Sequence, residues 1–235
     1  MTFLEDTEAF LGTGEKNRKG ESLDAFLESY NPYKHLTPSV TTDAVVFSYR
    51  NDPGYALKEG GISLLLVKRS NHPDIGFWAL PGGFVNMKED LFSGAKRELY
   101  EETGVKDVPM ESFAVRGDYK RDPRTRIITA CFLALTQEDN LQIRAGDDAA
   151  EAALFQVSCE VERKSGEEKS YHLLLYNAER HLKLESLVTE KISSGLIREK
   201  RYTVEDKGQI AMDHAGIICE AFALLKGRMK NEETY

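Results

Sequence analysis

The sequence has three cysteines, Cys131, Cys159 and Cys219, far apart and without a CxxC or Cys/His ligand spacing. That pattern excludes a disulfide scaffold and a thiolate zinc site, and suits reduced thiols serving as small buried hydrophobes in a cytoplasm. Long apolar runs are missing too: the longest is of the Ile62 to Val67 type, far short of the roughly 18 residues needed to span a bilayer. A soluble protein with no membrane partner is expected. The first residues, Met1 to Asp6, lack a basic stretch leading into an apolar core, so no secretory signal is expected. Positive charge is not in excess either, since 31 Lys and Arg against 39 Asp and Glu give a net charge of −8. An acidic balance removes the unselective attraction that holds a chain on DNA or on an anionic bilayer.

What is present is a packed globular composition, 41% hydrophobic and 9% aromatic over 235 residues. That length suits one ordinary domain with room for an insertion. Residues 1–36 read as an N-terminal arm, polar from Gly12 to Gly20 and then helical from Ser22 to Tyr30, with Leu23, Phe26 and Leu27 at helix spacing. A core over 37–157 follows. Thr41 to Tyr49 and Ile62 to Arg69 predict strands separated by turn chemistry at Asn51 to Gly54 and at Gly60-Gly61. After Pro81-Gly82-Gly83, Asp90 to Thr103 carries Phe92, Ala95 and Leu99 at i, i+3 and i+7, an amphipathic helix stopped at Gly104. Phe113 to Tyr119, Ile127 to Leu135 and Ala152 to Val157 predict further strands, and the core is mixed α/β or α+β. Residues 158–209 are less regular and read as an insertion or small subdomain, with a strand over Tyr171 to Tyr176 and a short helix over Glu185 to Ile192. From 210 to 235 a C-terminal helix is expected to pack on the core through Ile210, Ile217, Ile218, Ala221, Leu224 and Leu225.

The chemistry concentrates between Gly82 and Val105. Glu98, Glu101 and Glu102 stand at i, i+3 and i+4, so three carboxylates share one helix face. Each like-charge pair there costs roughly 0.2 to 0.5 kcal/mol in water, and a cation is expected beside them. Arg97 is one candidate, able to fork to a carboxylate such as Glu89. A divalent ion is the other, and all-oxygen ligation favours Mg²⁺ or Mn²⁺ over Zn²⁺. Gly82 and Gly83 allow close backbone approach beside the helix. A solvated acidic face is the bland alternative, but spacing this complete arises by chance in a chain of this length with probability on the order of 10⁻⁷.

From Gly83 to Val105 the segment resembles, without departure over its 23 residues, the box of the Nudix hydrolase superfamily, G-x5-E-x7-R-E-U-x-E-E-x-G-U with U apolar. The resemblance implies an α/β/α sandwich with a mixed sheet, and Mg²⁺- or Mn²⁺-dependent hydrolysis of a nucleoside diphosphate linked to another moiety. Carried over, it makes Glu98, Glu101 and Glu102 metal-site carboxylates and Arg97 their orienting partner, with Glu89 and Gly83 shaping the loop. The general base varies in that superfamily, so Glu98, Asp147, Asp148 and Glu151 stay open for it.

Outside the box the chain resembles ADP-ribose pyrophosphatases and related ADP-ribose-sensing Nudix domains. The stretches are Pro38 to Asp43, Phe77 to Gly83, Arg121 to Arg124, Ala145 to Ala150 and Asp213 to Ala215. Arg121, Arg124 and Arg126 form a cationic cluster suited to an anionic substrate, and Arg69 is a further candidate. Trp78, Phe84 and Tyr119 could stack on an adenine ring or pack in the core. His214 reads as a cap or packing residue beside Asp213. The partner expected is a small nucleotide, in a cytoplasmic protein whose homodimerisation stays open. A sensing regulator would carry a basic recognition helix beyond the core, and within the spare segment 158–209 the modest basic run of Arg198, Lys200 and Arg201 is interleaved with acids. No nucleic-acid partner is expected.

Overall fold

The computed structural model describes residues 3–144 and 149–232, without the side chains of 149, 150 and 230–232. Met1–Thr37 form one compact unit and Pro38–Tyr235 a second. In the first, helix α1 (Leu23–Ser29) starts at Ser22, whose hydroxyl accepts the Ala25 amide at 3.3 Å.

The second unit is built on ten strands: β1 (Ser39–Tyr49), β2 (Ser63–Arg69), β3 (Trp78–Ala79), β4 (Gly82–Phe84), β5 (Met110–Arg116), β6 (Ile127–Gln137), β7 (Ala149–Ser165), β8 (Glu168–Asn177), β9 (Leu182–Ile192) and β10 (Lys200–Asp206). They join in one sheet of order β10-β9-β8-β7-β2-β1-β6-β5, with β3 added to β2 and β4 to β1. β1 and β6 run parallel, from Ser39 opposite Ile127 to Tyr49 opposite Gln137, while the other pairings along the sheet are antiparallel. The sheet is therefore mixed.

Helix α2 (Pro53–Lys58) begins at Asp52, so the Asn51 to Gly54 turn continues into a short helix. The other two helices, α3 (Leu91–Thr103) and α4 (His214–Glu232), cover opposite faces of the sheet. Ala44, Val46 and Leu65 pack with Leu99 of α3, whereas Val45, Phe47, Leu64 and Leu66 pack with Ile217, Ile218 and Phe222 of α4. A strand covered on both faces reads as a continuous buried run rather than an alternation, and β1 is buried from Thr41 through Ser48. The expected α/β/α sandwich with a mixed sheet is what the chain forms.

The sheet curls around α4. Arg116 on the last strand, β5, donates to Glu220 of α4 at 2.5 Å and lies 5.7 Å above the Tyr202 ring of β10, the strand at the opposite end. Ala215, Ile217, Ile218, Cys219 and Ala221 consequently have no exposed surface, as expected of a helix apolar on nearly all sides. Ile210 lies before α4, bridging Trp78 in parallel, and is not part of its stripe. The Cys159 and Cys219 sulfurs approach to 3.6 Å as free thiols, and all three cysteines are buried.

Residues 158–209 extend this same sheet. β7 runs unbroken across the 157/158 boundary, and β8, β9 and β10 add to it in turn. The helix expected over Glu185 to Ile192 is strand β9. Its inward positions are Leu184, Ser186, Val188 and Glu190, and two of the four are polar, which hid the alternation. Glu190 is tolerated inside because it accepts from Lys169 at 2.8 Å, Tyr171 at 2.9 Å and Tyr202 at 2.5 Å.

Candidate active site

Helix α3 is fixed at both ends. The Asp90 carboxylate accepts the Phe92 and Ser93 amides at 2.9 and 3.0 Å, and Gly104 closes the helix in the left-handed region with φ 73°. Ala95 and Leu99 press onto the sheet. That docking turns Glu98 and Glu102, one turn apart, toward β4 and the end of β1.

Arg97 is held by five contacts. Its Nε and Nη2 fork to Glu89 at 2.9 Å each, Nη1 donates to Glu98 at 2.7 Å and to Glu101 at 2.9 Å, and Nη2 also reaches the Phe84 carbonyl at 2.9 Å. The Arg97 hydrogen bonds hold the Glu89 carboxyl down at about 2. This geometry leaves Arg97 as an organiser with no donor to spare.

A cleft of about 430 Å³ opens between β1, β2, β4, α3 and the start of α4. It gathers Arg69, Gly83, Arg97, Glu98, Glu102, Arg121 and Arg124, residues spread across 56 positions of the sequence. Glu101 does not line it; its half-exposed side chain turns back to Arg97. Two of the three carboxylates on the helix face thus look into the cleft. Gly83 belongs there because a Cβ at that position would stand 2.5 Å from the Glu98 carboxyl carbon, and one on Gly82 would stand 2.0 Å from the Thr42 carbonyl. Glu102 accepts the Gly82 amide at 2.9 Å. Burial, with Glu98 and Asp43 close by, nevertheless pushes its carboxyl up to about 8, and burial raises Glu98 as well.

Cations also line the cleft. Arg69 donates Nε to the Pro73 carbonyl at 2.7 Å, and burial together with the neighbouring Arg124 lowers its pKa. Arg124 forks to Asp122 at 3.0 and 2.8 Å and lies 5.4 Å above the Phe84 ring. Arg121 departs from the expectation of a free anion-binding residue: only 4% of its side chain is exposed, and it forks to Asp213 at 3.1 and 2.8 Å. Arg126 and Tyr119 do not line the cleft, and Trp78 is a core residue packed edge-on against Phe155 at 4.7 Å. Glu151 does not line the cleft; it pairs with Lys68, which does, at 2.9 Å and with Arg180 at 2.5 Å. Asp147 and Asp148 lie outside the described residues.

Sequence reasoning gave Asp43 no role of its own and read His214 as a cap or packing residue; both line the cleft. His214 accepts the Leu80 amide on Nδ1 at 2.9 Å, so its proton sits on Nε2, 3.7 Å from Asp43 Oδ1. Burial lowers its pKa. The legible signal was a charged residue at position 43, inside a strand that is otherwise apolar and hydroxylic.

Among the described residues, no three His, Cys, Asp or Glu side chains converge into a finished metal cage. The donors are nonetheless suited to a hard cation. They are all oxygen, Asp43 Oδ2 is buried without a hydrogen-bond partner, and Glu102 is raised by burial and then by its anionic neighbours. A small octahedral ion takes one or two protein carboxylates and completes its shell with water and phosphate oxygens, so a closed cage is not required.

An α/β/α sandwich carrying this glutamate helix beside a glycine loop defines the class, and the chain belongs to the NUDIX domain family, whose model matches residues 44–174. Among relatives it is 38% identical over 116 residues to the ADPR responsive transcriptional repressor NtrR of Acinetobacter baylyi, covering 48% of this chain and 43% of that one. To the ADP-ribose pyrophosphatase of Methanocaldococcus jannaschii it is 33% identical over 132 residues, covering 56% of this chain and 69% of the relative. Among solved structures, a MutT/nudix family protein from Enterococcus faecalis superposes with a TM-score of 0.65 at 27% identity, over 95% of this chain and 76% of that one.

Proposed function

We propose that the protein is a Nudix hydrolase that cleaves the diphosphate of ADP-ribose or of a similar nucleoside diphosphate derivative, with Mg²⁺ or Mn²⁺. The observation that carries this reading is the mixed lining of the cleft: the carboxylates of Glu98, Glu102 and Asp43 share it with the guanidinium groups of Arg69 and Arg124. Burial and the neighbouring Arg124 lower the proton affinity of Arg69, and an anion beside Arg69 would offset both. A diphosphate supplies that anion. The likeness to the Methanocaldococcus ADP-ribose pyrophosphatase favours ADP-ribose among such substrates.

Glu98 and Glu102 would hold the ion, and Glu101 would join them only by leaving Arg97. When bound, the ion neutralises phosphoryl oxygens and lowers the pKa of a water. Arg97 keeps Glu98 aimed past Gly83, and Arg69 and Arg124 hold the diphosphate. Of the described acids left open for accepting the proton, Glu98 lines the cleft and Glu151 is taken by Lys68 and Arg180. The buried free thiols suit a reducing cytoplasm, and among the described residues no helix is long and apolar enough to cross a membrane.

The test is a hydrolysis panel of ADP-ribose, other nucleoside diphosphate sugars, dinucleoside polyphosphates and nucleoside triphosphates, run with each metal. Release of AMP and ribose phosphate from ADP-ribose should lead in kcat/KM. No turnover of any member by folded protein would defeat the enzyme reading. The likeness to the Acinetobacter repressor favours a second reading, a nucleotide-responsive regulator. A sequence-specific, ADP-ribose-sensitive gel shift at about 50 mM salt, where phosphate contacts are least screened, would support it; we expect none.

A further inference from the structure

We propose that Asp43 is a further carboxylate of the cation-holding wall, so that the ion is received between β1 and α3 rather than by the α3 glutamates alone. The inference rests on the metal-dependent reading above.

Asp43 sits where β1 is paired on both sides, opposite Gly82 of β4 and Cys131 of β6. It is 7% exposed, yet among the described residues the cations paired with its carboxylate stand no nearer than 3.6 Å. Oδ1 is 3.7 Å from His214 Nε2. Oδ2 makes no hydrogen bond, and Arg121 Nη2, at 3.6 Å, is committed to Asp213 at 2.8 Å. A carboxylate buried for structural reasons is normally tied by close hydrogen bonds, because an uncompensated buried charge is strongly unfavourable. Here the cations stand off at 3.6 and 3.7 Å, and Glu102 is close enough for Asp43 to raise its proton affinity. The cleft is the remaining direction, and Asp43 lines it together with Glu98 and Glu102. Gly82 keeps the approach clear, since a Cβ there would also meet Asp43 Oδ1 at 3.0 Å. A charge held away from its neutralising partners and facing two more carboxylates matches a hard divalent cation that completes its shell with water or phosphate oxygens.

The experiment is titration of Mn²⁺ alone into nucleotide-free protein, read by calorimetry and by the Mn²⁺ paramagnetic resonance signal, for wild type, Asp43→Asn and Asp43→Ser. Thermal melts in EDTA run alongside. Mn²⁺ affinity should fall at least about tenfold in both variants, the scale of losing a ligand or its orienting partner, while the EDTA melting temperature holds or rises. Affinity within twofold of wild type would overturn the proposal, and so would variants that fail to fold in EDTA, because Asp43 would then be a structural partner of Arg121 and His214. Wild type that binds no Mn²⁺ would overturn it as well. The hydrolysis panel on wild type separates this failure from failure of the enzyme reading: an active enzyme whose Asp43 variants keep their Mn²⁺ affinity loses only this inference.

Discussion

Glu102→Gln should make the metal-free protein more stable while removing its activity. The Glu102 carboxyl rises from 4.5 to about 8 because burial penalises its charge beside Glu98 and Asp43. A carboxyl with a raised folded-state pKa binds its proton more tightly folded than unfolded. Ionising it therefore costs nothing below pH 4.5, costs progressively more as pH rises, and levels off above pH 8. At about 1.4 kcal/mol per pKa unit, the cost at neutral pH is on the order of 3 kcal/mol, and water at the cleft mouth reduces it to about half by screening. Glutamine keeps the size and an acceptor for the Gly82 amide but carries no charge. At roughly 2 to 4 °C per kcal/mol for a chain of this size, the variant should melt about 3 to 8 °C above wild type at pH 8 in EDTA, and level with it near pH 4.5. Mg²⁺ or Mn²⁺ should raise the wild-type melting temperature and leave the variant nearly unmoved, and turnover should fall at least about 10²-fold. Scanning fluorimetry over pH 4.5 to 9, with and without metal, reads all of this. A variant that melts at or below wild type at pH 8 in EDTA refutes the argument.

Gly83→Ala should leave the melting temperature within a few degrees, because the atoms it meets belong to the movable end of Glu98; the displaced carboxylate should lower kcat at least about tenfold, and unchanged kcat would count against Glu98. Arg69→Met removes a half-buried cation that makes no ion pair among the described residues, so it should raise KM for ADP-ribose at least about tenfold with a smaller change in kcat, in steady-state assays; an unaltered KM rejects the anion-holding role. Glu190→Ala strips Lys169, Tyr171 and Tyr202 of their shared acceptor, at a cost of about 2 to 4 kcal/mol. Its melting temperature should drop roughly 4 to 16 °C with Mn²⁺ affinity intact, and a drop of under 2 °C would show that the cluster contributes little.

How far the sequence could be read depended on how local each feature was. The glutamate helix was legible because its start at Asp90, its stop at Gly104 and its i, i+4 carboxylates are all set within fifteen residues. β1 and β2 were legible because a sheet covered on both faces demands an unbroken apolar run. β9 was not, since Ser186 and Glu190 occupy inward positions and are satisfied only by Asp206, Lys169, Tyr171 and Tyr202 on neighbouring strands. The fate of the arginines was equally non-local. Arg121 and Arg124 are three residues apart on one turn, yet Arg121 is consumed by Asp213, 92 positions away, while Arg124 stays at the cleft beside Arg69. Nothing in the spacing of three arginines distinguishes a buried tether from a ligand contact; only the start of α4, brought under the sheet by the curl around that helix, makes the difference. The same folding step sets His214 beside Asp43 and closes the floor of the cleft. The box thus supplies Glu98 and Glu102 from a single helix, and Asp43, Arg69, Arg124 and His214 join them in the cleft only once β1, β2, the 121–124 turn and α4 have met.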